Sequence, residues 1–358
     1  MCKFAKYLDY LALFLRKGLT WQEYRDFDFY HQEKSFREAF LGINEQRFYL
    51  DYLNPIKYYS LARNKYLSHK ILSGSGIRKA ELYACYYPEA KYYSSLENAG
   101  DWEGILRILK RKNVQSCVIK PLESSHGKSI FVVKAIEYEE KDAVLHFFDG
   151  TVRFLSDTLG KKALLFEEYV LQASRFSLMN PSSVNTVRFM TALYPDNSVK
   201  IFATFIKIGR KGMCVDNAGK GGNVDVNIDV ETGRTEYAIQ FNGFNHIREI
   251  DCHPDSKVPL NDCLIEDWSE IKQEVIRFQQ AFPFSKVVGW DIAITEKGPV
   301  VIEMNEFWDR TGQLFIRRGW RKDIRDCYNA WKSTGTDYPL QRQPNRLTHR
   351  HLDFIYHQ

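Results

Sequence analysis

Gly289-Trp290-Asp291-Ile292-Ala293-Ile294, followed after a short turn by Val300-Val301-Ile302-Glu303-Met304-Asn305, is the stretch that decides how this chain is read. Period-2 alternation puts Gly289, Asp291 and Ala293 on one face of a first strand, and Val301, Glu303 and Asn305 on one face of a second. Glu296-Lys297-Gly298 between them predicts a three-residue hairpin loop with glycine at its left-handed position. Thr295 then faces Pro299, and proline is tolerated as the first residue of a strand. Counting back from that turn, Asp291 lies directly opposite Glu303. Two carboxylates facing each other across a ladder repel. A divalent cation removes the conflict, because Mg2+ takes hard oxygen ligands, one or two carboxylates with phosphate oxygens. Asn305 adds a neutral oxygen on the same face, and the small Gly289 and Ala293 leave room for a ligand. The competing reading is an exposed hairpin face with scattered polar groups.

Upstream, Val118-Ile119-Lys120-Pro121 ends a strand, and Glu123-Ser124-Ser125-His126-Gly127-Lys128-Ser129 follows it. Gly127-Lys128-Ser129 imitates the end of a P-loop, but that motif needs glycine where this chain has Leu122. What remains is a small-residue loop whose hydroxyls, backbone N–H groups and Lys128 are available to phosphates, with Lys120 as a point charge just before it. Read alone, a Ser/Gly hairpin loop with surface lysines accounts for it equally well. Leu164-Leu165-Phe166-Glu167-Glu168-Tyr169-Val170 is an apolar strand ending in paired acids. Its extended end can pair backbone groups with an adenine edge, or can be a strand end with solvated acids.

In order, these pieces resemble the ATP-grasp superfamily: Lys-Pro with a small-residue loop, a Glu-Glu-Tyr-Val hinge, then Asp…Glu-x-Asn. More narrowly, the segments Asn180-Pro181-Ser182-Ser183-Val184-Asn185-Thr186-Val187-Arg188, Val215-Asp216-Asn217 with Gly221-Gly222, and Gly289-Trp290-Asp291 resemble the sugar-transfer-associated ATP-grasp proteins of surface-polysaccharide clusters. The resemblance covers about residues 60–330. It implies an α+β, ATP-grasp fold in which two α+β lobes clamp ATP, with Mg2+ as the second cofactor.

It also implies a carboxylate–amine ligase that phosphorylates a carboxylate and lets an amine displace the phosphate. The likeness points to an amino acid or amine joined to a uronic acid of a surface or capsular polysaccharide or its precursor. Carried over by position, Lys120 and Lys128 hold phosphates under the loop Ser124, Ser125, His126 and Gly127. Glu167, Glu168, Tyr169 and Val170 read adenine, and Asp291, Glu303 and Asn305 hold Mg2+. Arg188, mid-strand where an unpaired guanidinium is costly to bury, partners the transferred phosphoryl group. Lys207 is a second candidate, near register with Arg188 about the turn at 195–198. Glu306-Phe307-Trp308 departs from the Pro-Gly loop of many such ligases, and Gln172 and Ser174 are the polar candidates for the ribose. Phosphotransfer to a hydroxyl and a non-catalytic nucleotide-binding role remain as alternatives.

The rest of the chain fits such an enzyme. With 358 residues, two domains are expected, and 44% hydrophobic with 15% aromatic content can fill their cores. The net charge of +5 comes from scattered residues with no cationic block, which argues against a nucleic-acid partner. Small-molecule or glycan carboxylates and amines are the expected partners. The seven cysteines form no Cys-x-x-Cys pair, against a disulfide framework or a zinc site. No apolar run is long enough for a membrane span, and the cytoplasm is the expected compartment.

Residues 1–80 read as a helical region, with Phe4, Leu8, Leu11 and Phe14-Leu15 at helical spacing and a stop at Ser73-Gly74-Ser75-Gly76. Residues 81–180 form the small lobe with loop and hinge, 181–330 the large lobe with the metal residues, and 331–358 a polar tail. Strands are expected over 114–120, 130–136, 143–148, 163–170, 185–194, 199–208, 287–295 and 299–305. Trp268, Ile271, Val275 and Phe278 mark a helix stopped by Pro283.

Overall fold

The computed structural model describes residues 3–90, 95–123, 130–213, 222–243 and 247–336. Helices and short turns make up residues 3–74, ending with the helix Lys65–Gly74, after which Gly76 turns the chain at φ +71°. Two seven-stranded sheets follow. The first holds β1 (Leu82–Tyr86), β2 (Asn98–Ala99), β3 (Cys117–Pro121), β4 (Phe131–Tyr138), β5 (Ala143–Phe147), β6 (Val152–Phe154) and β7 (Leu164–Glu167), in the order β2-β1-β7-β3-β4-β5-β6. The second holds β8 (Thr186–Leu193), β9 (Val199–Ile208), β10 (Val224–Ile228), β11 (Thr235–Phe241), β12 (Ile247–Ile250), β13 (Val287–Thr295) and β14 (Gly298–Asn305). Its order is β12-β11-β10-β9-β8-β13-β14. This is the α+β arrangement expected. Strands β1, β2, β6 and β10–β12 and the helix Trp102–Arg111 are additional to those legible in the sequence.

Each sheet buries one face under a helix. Ile105, Leu106, Ile108 and Leu109 of Trp102–Arg111 pack into the first core with Val133, Leu145 and Phe166. Asp101 caps that helix through the Gly104 N–H at 2.7 Å, and a Cβ on Gly104 would lie 2.5 Å from the Ala99 methyl, so only glycine allows this approach. On the second sheet, Trp268, Ile271, Val275 and Phe278 all face inward, as their spacing predicts, against Val187, Phe189, Trp290 and Ile292.

The third core joins the helical region to the far side of the second sheet. Tyr49, Leu50 and Leu53 of the helix Ile43–Leu53 pack with Met190, Phe202, Phe205, Trp308 and Trp320. Asn54, fully buried at the helix end, fixes this contact. Its Nδ2 donates to the carbonyls of Val287 and Glu306, both at 2.7 Å, and its Oδ1 accepts from the Val287 N–H at 3.0 Å.

No helix among the described residues is long and apolar enough to cross a membrane. The described cysteines Cys85, Cys117, Cys252, Cys263 and Cys327 are free thiols.

Asn54→Leu leaves three buried backbone groups without partners at similar side-chain volume. It should lower unfolding free energy by about 2–4 kcal/mol, read from the denaturation midpoint. A loss under half a kilocalorie would show that this junction carries no load.

Candidate active site

Asp291 lies opposite Glu303, as expected, but the route differs. Thr295 pairs with Gly298, not Pro299, so the turn is Glu296-Lys297 and Gly298 takes φ +97° at the first position of β14. A bulge at Ile302 then supplies the extra residue, and Asp291↔Glu303 and Gly289↔Asn305 fall into register. The bulge also turns Val301 into the core with Ile292, and Val300 takes the face shared by Ala293. The second strand's site face is therefore Val300, Glu303 and Asn305. The bulge has a visible partner: Lys79 Nζ donates to the Ile302 carbonyl at 3.0 Å, and the Val301 N–H donates to the Arg78 carbonyl at 3.0 Å. Residues 78–79 thus run alongside β14, with Lys79 paired in parallel to Val301.

Three neighbouring strands focus charge on Asp291. Arg188 on β8 is its direct register partner and donates from Nε at 2.7 Å and Nη2 at 3.0 Å. Lys207 on β9 faces Thr186, two residues from the partner of Arg188, so both cations share a sheet face, and Lys207 Nζ is 3.0 Å from Asp291 Oδ1. Burial alone would raise the Asp291 pKa. The two cations outweigh it and hold the carboxyl at about 2. A Cβ on Gly289 would press on Arg188 Nη1 at 3.1 Å, so the room left by glycine is taken by the guanidinium.

The loop before β8 sets where Arg188 starts. Asn185 donates to the carbonyls of Phe176 and Asn180, Asn180 donates to Ser183 Oγ, and Gln172 donates to the carbonyls of Asn180 and Ser183. Gln172 is thus spent on this loop, and Ser174 donates to Glu296. Asn305 Nδ2 lies 3.3 Å from Asp291 Oδ2, which leaves its carbonyl oxygen to other partners. Glu303 is the open member, its side chain 40% exposed and 3.6 Å from Lys65 Nζ.

On the first sheet, Lys120 and Glu167 form a buried ion pair between β3 and β7. Burial pushes the Glu167 carboxyl up, while Lys120 and Lys79 pull it lower still, for a net depression. Glu168 turns away and exchanges bonds with Glu81: its N–H donates to the Glu81 carbonyl at 2.8 Å, and its Oε2 accepts from the Glu81 N–H at 3.1 Å. Val170 is buried against Ala80, Ala293 and Val300, where the first sheet's last strand hands over to the second sheet. Tyr169 is half-buried between them. Ser124, Ser125, His126, Gly127 and Lys128, with Val215-Asp216-Asn217 and Gly221, lie outside the described residues.

Two lysines of the helical region join this cluster without any motif to announce them. Lys65, at the start of its helix, is buried and faces Glu303. Its N–H donates to the Leu122 carbonyl at 3.1 Å, and neighbouring Asn64 donates to Glu123 at 3.1 Å. Desolvation lowers the Lys79 pKa to about 8 despite the attraction of Glu167, with Lys120 and Lys65 adding to the depression. Asp225, buried opposite Lys207 in register, is a further acid on the Asp291 face. The candidate site is therefore a charged cluster that links the two sheets through Lys65 and Lys79, made of Lys65, Lys79, Lys120, Arg188 and Lys207 with Glu167, Asp291 and Glu303. Asp291, Glu303 and Asn305 bring two carboxylates and an amide oxygen to one face, hard donors of the kind Mg2+ takes. Among the described residues, no group of three or more His, Cys, Asp or Glu is placed to hold a metal ion.

A sequence profile of sugar-transfer-associated ATP-grasp proteins matches residues 44–327, the greater part of the chain and the whole of this cluster. The chain belongs to that family. No curated protein matches it. Among solved structures, this ATP-grasp chain is similar to the ATP-grasp ligase PsnB complexed with minimal precursor, Mg and ADP, at 13% identity and TM-score 0.37 over 77% of this chain and 62% of that one. It is also similar to N5-carboxyaminoimidazole ribonucleotide synthetase from Thermotoga maritima, at 12% identity and TM-score 0.41 over 78% and 52%. A third likeness is to a biotin carboxylase–nucleotide complex from Campylobacter jejuni, at 10% identity and TM-score 0.43 over 78% and 47%. The matches span about half to three fifths of those proteins.

His69 faces the same cluster from the Lys65 helix and is buried, and desolvation lowers its pKa to about 4. Between pH 6.5 and 4 the unfolded chain therefore takes up this proton before the folded one, and stability falls as the pH falls. Wild type should lose on the order of 2–3 kcal/mol more than His69→Gln over that window. Parallel acid limbs in urea titrations at several pH values would remove His69 from this role.

Proposed function

We propose that this ATP-grasp protein is a Mg2+/ATP-dependent carboxylate–amine ligase acting on a sugar acid. One observation carries the reading: Asp291 and Glu303 in register on a sheet face shared with Arg188, Lys207 and Asn305, across from the lysines of the first sheet and the helical region. Lysines without acids would bind any anion. Acids without cations would bind a metal and repel a phosphate chain. Both together suit a metal–polyphosphate ligand. Nucleotide and Mg2+ would supply an electrophilic γ-phosphoryl group, the metal held by Asp291, Glu303 and Asn305.

The protein's own groups then have definite tasks. Lys120, fixed by Glu167, and Lys79 beside it offer charge to phosphate oxygens, and the strand end from Glu167 to Val170 receives the base. Arg188 and Lys207, already locked by Asp291, are fixed donors for the charge that develops as a substrate carboxylate oxygen attacks phosphorus and ADP departs. The amine nitrogen next attacks the acyl carbon. The C–O bond to phosphate breaks, the nitrogen loses a proton, and amide and phosphate result. The family's description as associated with sugar transfer supports a uronic acid of a surface polysaccharide, or its precursor, as the carboxylate.

The test is ATP turnover with Mg2+ and a pool of uronic and amino acids, with hydroxylamine as a trap. ADP with a hydroxamate is the expected product pair, whereas ADP with a phosphorylated alcohol would replace this reading by phosphotransfer to a hydroxyl.

Glu303→Ala should lower kcat by at least about a hundredfold, and activity near wild type would sink the metal role. Arg188→Lys keeps a cation beside Asp291 but loses the two-pronged geometry. It should lower kcat by roughly tenfold or more with nucleotide affinity little changed. A change in affinity alone would take Arg188 out of the chemical step.

A further inference from the structure

The first helix, Lys3–Lys17, is built inside out. Lys6, Asp9 and Lys17 are turned toward the protein. Asp9 accepts from the Tyr24 hydroxyl at 2.9 Å and from Arg37 at 2.6 and 2.7 Å, and Lys6 lies over the Tyr30 ring at 4.9 Å. Lys17 is buried and donates to the carbonyls of Arg37, Glu38 and Phe40 at 2.7, 3.0 and 2.8 Å. Tyr10 and Leu13 pack inward, but six other apolar residues point out: Phe4, Tyr7, Leu8, Leu11, Phe14 and Leu15 are 37–67% exposed, with Trp21 of the next helix 48% exposed beside them. Arg16 is the one charged side chain on the outward face over residues 4–16.

Together these side chains expose roughly 700 Å² of mostly apolar surface, taking 150–250 Å² for each whole aromatic residue. A monomer's largest apolar patch is usually about 300–600 Å², and one side of a stable dimer interface is about 800 Å².

We infer that this face binds a second copy of the chain, the two helices lying antiparallel across a two-fold axis. Phe4, Leu8, Leu11 and Leu15 follow the four-three-four spacing of a helix-pairing seam. Laid antiparallel about the point midway between Leu8 and Leu11, the seam matches itself. Phe4 meets the partner's Leu15, and Leu8 meets the partner's Leu11. Tyr7 and Phe14 flank the seam on one side and meet the partner's Phe14 and Tyr7, while Ala5 and Ala12 flank it on the other and meet the partner's alanines. This is the self-complementarity an isologous contact requires. A lipid surface fits less well, because helices that lie in membranes present lysine and arginine on the polar face to head groups, and here Lys6 and Lys17 are held by Tyr30 and by backbone carbonyls.

Light scattering on the full chain at micromolar concentration tests this. Wild type should run at twice the chain mass, and Leu8→Glu with Leu11→Glu should halve it by placing acid against acid. Leu8→Lys with Leu11→Glu removes the same two leucines but sets Lys against Glu only in the antiparallel pair, so it should restore the double mass. Both positions are exposed, so the thermal midpoint of the monomeric variant's fold, followed by near-UV circular dichroism, confirms that it is intact. A wild-type chain of single mass overturns the inference, as does an undiminished mass for the double-Glu variant. Single mass for the Lys/Glu variant overturns the antiparallel arrangement. Flotation of single-mass wild type with phosphatidylserine vesicles would assign the face to lipid instead.

Discussion

Everything in the site depends on one buried carboxylate. Asp291 is 4% exposed and takes both Arg188 and Lys207. Burying three charges on adjoining strands is costly, and their attraction offsets that cost only while all three are present and well aligned. Removing one partner from such a group typically costs about 3–5 kcal/mol. The same arrangement fixes register. A slip of one residue in β8 would carry Arg188 to the face now filled by Val187 and Phe189, among the side chains of the Trp268–Ala281 helix. Thus the group that assembles this charged face also specifies how three strands align.

The first sheet repeats the device on a smaller scale. Lys120 and Glu167 are a buried pair, and their surroundings contain more positive than negative charge. Lys79 records that excess: it sits where desolvation and two neighbouring lysines all disfavour its charged form. Any polyanion entering the site favours that charged form again. The binding free energy of an anionic ligand therefore includes the relief of lysine–lysine repulsion stored in the protein. A site with every lysine singly paired to an acid would gain less from the same ligand.

The sequence was legible where chemistry is local and silent where it is long-range. Asp291 opposite Glu303 could be counted from the turn, and the outcome survived although the turn is one residue shorter than expected. The compensating bulge at Ile302 was illegible. Nothing in Val301-Ile302-Glu303 distinguishes a bulged isoleucine, and the group that bonds its carbonyl is an ammonium 223 residues away in sequence. Lys65 and Lys79 were missed for the same reason. A lone lysine in a helical region carries no spacing signal, and long-range packing brings that region to the site: residues 41–54 on one side of the second sheet, with Ala62, Leu72 and Ile77 in its other core. Arg188 was found because a guanidinium in mid-strand breaks a local pattern. Its partner Asp291 then accounted for the anomaly.

The first helix shows a different limit of sequence reading. Its hydrophobic period is plain, but a period fixes only that one face is apolar, not which way that face points. Direction is set by what the polar residues can reach. Here Asp9 finds Arg37 and Tyr24, and Lys17 finds the three carbonyls at the end of the Lys34–Ala39 helix. Four of its last carbonyls would otherwise lack intrahelical partners, so a buried ammonium gains several bonds at once. Those polar contacts act together with Tyr10 and Leu13, which pack inward against Trp21, Tyr24 and the neighbouring aromatic core. Burial of charge in the body thereby displaces leucine and phenylalanine to the surface. In the first helix charged and apolar groups compete for one face, and Asp9 and Lys17 share it with Tyr10 and Leu13.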